Sequence, residues 1–162
     1  MIYRIRVILD VDDDVLRDIE ISSTSTLEDL HYAIIQSFGF LGNEMASFYE
    51  SDENWTQGDE LPLESLEIGI NKKDEILNTV LTFSKPKLIY VYDFLNLWTF
   101  YVELKEEGEI VPGVTYPNLI HSQGDVPEEP PYKTFEADGK ENYSNNDMNQ
   151  NDDIRDEDDS FY

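Results

Sequence analysis

Tyr3, Ile5, Val7, Leu9 and Val11 occupy every second position at the start of the chain, with Arg4 and Arg6 between them. A period of two puts all five on one face of an extended backbone, which predicts a half-buried strand. Asp12-Asp13-Asp14 supplies turn-forming residues. Val15, Arg17, Ile19 and Ile21 then resume the alternation, so the opening is a β-hairpin. The period next changes to that of a helix. Leu27, Leu30, His31, Ile34, Ile35 and Phe38 form one stripe, Ser25 or Thr26 can cap it with Glu28 or Asp29 three residues on, and Gly39 is placed to end it. A hairpin followed by an amphipathic helix has to bury both apolar faces against each other or against more sheet. The expected fold class is therefore α+β: an N-terminal β-hairpin plus helix packed on a mixed or antiparallel sheet.

Further along, Ala46 and Phe48 suggest a short strand over 45–50. Residues 51–75 are acidic and poor in pattern, and read mostly as loop with Trp55 as the large anchor. Leu77 to Phe83 is a short apolar run of either type. Leu88 to Phe94 reads as a buried strand and Leu95-Asn96 as a turn. Leu97 to Leu104 then forms the antiparallel partner, with Trp98, Phe100, Val102 and Leu104 on one face. Five of the seven prolines fall between Gly108 and Tyr132, which predicts an irregular strap. One domain over residues 1–135 is expected. Residues 136–162 carry 10 acids against 2 bases and few apolar side chains, so a disordered acidic tail is expected there.

Charge narrows the function classes. With 36 acids and 11 bases the chain has a formal charge of −25, which repels phosphate backbones and anionic membranes. Direct nucleic-acid binding and membrane binding are not expected. Without cysteine there is no disulfide, thiolate nucleophile or cysteine zinc site. The N-terminus alternates where a signal peptide would be continuously apolar, which points to the cytoplasm. No phosphate-binding glycine loop, nucleophile elbow or His-Glu-x-x-His is present. Asp10, Asp12 and Asp14 have the first spacings of a calcium loop, but Val15 and Ile21 stand where glycine and glutamate are needed, so a solvated turn is expected. No metal and no cofactor is expected.

Three stretches carry a resemblance. Thr26-Leu27-Glu28-Asp29-Leu30-His31 with Ile34 and Phe38-Gly39-Phe40 is similar to a Thr-Leu-x-x-Leu-His-x-x-Ile helix followed by Phe-Gly-Trp. Tyr92-Asp93-Phe94-Leu95-Asn96-Leu97-Trp98 resembles Tyr-Asp-Phe-Gly-Asp-x-Trp, without the glycine and the second aspartate. Tyr116-Pro117 and Val126-Pro127-Glu128-Glu129-Pro130 follow a Tyr-Pro and a Pro-Pro-Glu-Asp element. Over residues 2–131 the chain thus resembles the plasmid open-reading-frame-3-like family of insertion-element passenger proteins. That resemblance implies an α+β fold with a ubiquitin-like opening and an association with mobile genetic elements. It also suggests a structural partner for Asp93: Val15-Leu16-Arg17-Asp18-Ile19 resembles the family's Ile-Trp-Arg-Arg-Ile strand, keeping one arginine as Arg17, and a buried carboxylate needs such a partner.

Three functions are then in play. The leading expectation is a non-enzymatic acidic module that binds a protein partner with a basic surface. The first alternative is a metal-assisted or acid/base enzyme of mobile-DNA metabolism, with Asp93, His31 and Glu128 as the candidate catalytic residues. The second is an acidic DNA mimic, which needs carboxylates spaced along a line like phosphates.

Overall fold

The computed structural model describes residues 1–64 and 69–131. The expected acidic tail, 136–162, lies outside the described residues. The opening alternation becomes β1 (Ile2–Leu9) and β2 (Leu16–Ser22), paired antiparallel with Ile5 opposite Ile19. Helix α1 (Leu27–Phe38) follows. Thr26 is its N-cap: the Thr26 hydroxyl accepts from the Asp29 N–H at 3.1 Å, and the Asp29 carboxylate accepts from the Thr26 N–H at 3.0 Å. This reciprocal box satisfies two of the donors a helix start leaves open. Gly39 ends the helix at φ 83°, the left-handed conformation that glycine adopts without a Cβ penalty.

Strand β3 (Ala46–Ser51) is followed by β4 (Gln57–Pro62), then by the single turn α2 (Leu77–Val80). Next come β5 (Lys87–Tyr92), β6 (Trp98–Gly108) and β7 (Asn118–Gln123). The seven strands form one sheet in the order β4-β3-β5-β6-β1-β2-β7, with every pairing antiparallel. An α+β fold is therefore present. Two strands stand where irregular chain was expected. In 51–75 the acidic segment Gln57–Pro62 pairs with β3, and in the proline-rich segment Asn118–Gln123 pairs with β2. Both are outermost strands, held by the backbone of one neighbour, so neither shows the alternation a half-buried strand shows.

The helix lies across one face of the sheet. Its stripe of Leu27, Leu30, Ile34 and Phe38 shares a core with Ile5, Val7, Tyr90, Trp98 and Phe100. Aromatic edges close that core, with Phe38 4.9 Å from Phe100 and Phe40 5.1 Å from Trp98 between ring centroids. On the other face Tyr49, Ile89, Val91 and Leu97 form a small cluster covered by Trp55 and Tyr101. Beside it, Arg4 pairs with Glu20 at 2.7 Å and Arg6 with Asp18 at 2.8 Å, both directly across the β1–β2 ladder. The Arg6 hydrogen bond is the main reason the Asp18 carboxyl lies below its ordinary pKa. Among the described residues no helix is long and apolar enough to cross a membrane.

Candidate functional site

His31 sits on the buried stripe of α1, only 9% exposed, and faces β5. Its Nδ1 is 2.6 Å from the hydroxyl of Tyr90, a residue with no exposed surface. Burial lowers the His31 pKa, with Glu64 opposing, and it pushes the Tyr90 phenol well above its ordinary range. Both groups are therefore neutral near pH 7, one donating and the other accepting. His31 also lines a cavity of about 260 Å³ whose rim includes Glu28, Tyr32, Glu44, Met45 and Glu64. Chemically, this is a neutral imidazole at the wall of an acidic hollow.

The other expected site residues lie elsewhere. Asp93 occupies the β5–β6 turn at φ 67° and is 8% exposed. Its carboxylate accepts from the backbone N–H groups of Leu95 and Asn96 and, at 2.7 Å, from the Asn96 side-chain amide. A carboxylate folded back on its own turn in this way stabilises the left-handed residue that starts it. The Arg17–Asp93 pair is not formed. Arg17 gives its donors to four carbonyls instead: Ser37, Leu16, Gln123 and Gly124. The reason is local, since β2 carries Arg17 to the C-terminal end of α1, where helix carbonyls lack partners. Glu128 is exposed in the last described segment and, like Asp93, does not line the cavity that His31 lines. Among the described residues no three His, Asp or Glu side chains are grouped to hold a metal ion.

Sequence reasoning missed Tyr90 as the partner of His31. The signal was present: Tyr90 alternates with Leu88 and Tyr92 towards the core, and a buried phenol hydroxyl needs a partner. What the sequence does not supply is the pairing across 59 positions.

The family described as Plasmid pRiA4b ORF-3-like protein matches residues 1–158. This chain belongs to that family. Among solved structures, a protein of unknown function from Methanosarcina mazei Go1 is similar, with 23% identity and a TM-score of 0.68, over 78% of this chain and 72% of that one. That likeness shows the fold. No curated protein matches. Within this plasmid pRiA4b ORF-3-like chain the Tyr-Asp-Phe-x-x-x-Trp stretch is the β5–β6 turn. Asn96 stands where the family pattern has its second aspartate, and its amide can donate to Asp93 where a carboxylate could only accept.

The His31–Tyr90 contact has a pH signature. A histidine with a lowered folded pKa binds its proton more readily when unfolded. Its share of stability is therefore present above the unfolded value of about 6.5 and is lost as pH falls through the folded value. His31→Phe should remove that share, so urea unfolding of the two proteins should diverge in pH slope below about pH 6.5. Identical slopes would mean that His31 titrates alike in both states. Tyr90→Phe, which strands Nδ1, should cost about 1–3 kcal/mol at neutral pH.

Proposed function

We propose that this plasmid pRiA4b ORF-3-like protein is a non-enzymatic acidic interaction module for a cytoplasmic protein with a basic surface. The observation that carries this reading is the fate of the arginines. Each of the three described ones is already engaged by the chain's own groups: Arg4 and Arg6 in half-exposed cross-strand pairs, and Arg17, buried, on backbone carbonyls. The charge left facing outward is dominated by carboxylates, Glu107 in the last residues of β6 and Glu109 just past its end among them. Such a field accelerates encounter with a basic partner and disfavours acidic ones. The ubiquitin-like reading of the hairpin-and-helix opening belongs to the same proposal, as the rigid frame on which that surface is displayed.

The test is affinity capture from the native host lysate with the full chain and with a Glu107→Lys/Glu109→Lys variant, at low and raised salt. One stoichiometric basic protein is expected, weakened by the variant and by salt. Retention indifferent to both would sink the reading. The acid/base alternative keeps one supporting observation, the cavity walled by His31. It calls for His31→Phe to abolish a turnover that Glu107→Lys/Glu109→Lys leaves unchanged.

A further inference from the structure

The two outermost strands of the sheet differ in chemistry. Strand β4 is defended: Asp59 and Glu60 lie exposed along it and Pro62 closes it, devices that discourage pairing with another chain. Strand β7 has no Asp, Glu, Lys, Arg or proline between Asn118 and Gln123, His121 being its one titratable side chain, and among the described residues nothing pairs with its outer edge. It also lies in an unusual stretch. From Ile110 to Gly124 this chain of charge −25 carries no Asp, Glu, Lys or Arg. Large apolar side chains are open to solvent along it, Ile110 at 63%, Leu119 at 46% and Ile120 at 39%. Beside the strand, a groove of about 170 Å³ runs between β7 and α1, with Ile19, Ala33 and Leu119 in its lining.

We propose that two copies of this chain associate through β7, edge to edge and antiparallel about a two-fold axis, extending the two sheets into one. Charge argues for a second copy as the occupant. A basic partner is drawn to carboxylates, and this strip has none to offer. Another copy brings the same large negative charge, so it can approach closely only where both surfaces are free of carboxylates, and in this stretch they are. A two-fold contact places the strip against itself, so the unpaired backbone groups of each β7 gain partners and the exposed Leu119 and Ile120 side chains lose contact with water. The extra residue in the β2–β7 register falls at Ile120, between the Asp18–His121 and Ile19–Leu119 pairs, and tilts the edge without charging it.

Self-association of like-charged chains strengthens as salt screens their repulsion, the opposite of binding to a basic partner. The experiment is sedimentation with light scattering on the full chain, from about 1 to 100 µM, at low and high sodium chloride. A monomer–dimer equilibrium is expected that shifts towards dimer with both concentration and salt. Ile120→Asp puts a carboxylate at the contact and should weaken the dimer at least tenfold while leaving the melting temperature of the monomer in place. Ser122→Asp serves as the second probe if Ile120→Asp does not fold, and Asp59→Asn on β4 should change nothing. A monomer at every concentration and salt overturns the proposal. So does a dimer that salt weakens, or one that survives both β7 variants.

Discussion

Trp98→Ala is expected to destabilise the protein by about 3–5 kcal/mol, the usual range for emptying a buried aromatic site. Trp98 is 7% exposed and stands on the helix-facing side of β6, with Phe40 packed against its ring. Removing the indole opens a cavity between the sheet and the segment that follows α1, where a rigid backbone cannot collapse to fill it. Against an ordinary stability of about 5–15 kcal/mol, such a loss brings the domain close to unfolding. The second tryptophan provides the contrast. Trp55 is partly exposed, touching Tyr101 edge-on and lying under the Lys87 ammonium at 4.7 Å. Trp55→Ala should cost only about 1–2 kcal/mol, from one aromatic and one cation–π contact. Urea unfolding measures both, and each variant keeps one tryptophan as a fluorescence reporter. Near-wild-type stability of Trp98→Ala would refute the single core shared by helix and sheet.

Arg17→Ala should cost about 2–3 kcal/mol, an effect out of proportion for a surface-type residue. Arg17 is 8% exposed, and burial lowers its pKa, with Asp125 opposing. The planar guanidinium lies 4.8 Å over the Phe38 ring. It donates through Nε to Ser37 O at 2.9 Å, and through Nη1 to Leu16 O at 2.8 Å and Gln123 O at 3.0 Å. One cation thus ties the end of α1 to β2 and to the end of β7. Without it those carbonyls lose a charged donor in a partly dry site. Arg17→Lys should recover little, because a single ammonium cannot reach both sides of the fork or stack on the ring. The loss should be uneven, with amide protection falling first over Asn118–Gln123, the strand with the least burial. Full recovery by lysine would show that charge alone, and not the fork, holds the three elements.

Local pattern was enough for the elements that carry their own period. The β1–β2 hairpin, the capped helix from Leu27 to Phe38 and the β5–β6 pair follow from spacings of two and of three to four. Those periods record which face meets the core, and they exist because one face of each element is buried. The capping box of Thr26 and Asp29 is local as well, closed within three residues. Net charge and the absence of cysteine are also properties of the sequence alone.

Tertiary structure decided what depends on a neighbour distant in the chain. Strands β4 and β7 exist because β3 and β2 offer them unpaired backbone groups, and backbone pairing leaves no trace in side-chain order. The partners of Asp93 and Arg17 followed the same logic. A turn three residues long satisfied the one, and a helix end 20 residues away, with a strand end 106 away, satisfied the other. His31 could be assigned to a buried stripe from its spacing, but the hydroxyl that makes its burial tolerable arrives on β5. The sequence could also show that Ile110–Gly124 carries no Asp, Glu, Lys or Arg. That this stretch ends on the outermost strand among the described residues is a fact of the sheet order, set by which strand each strand lies beside.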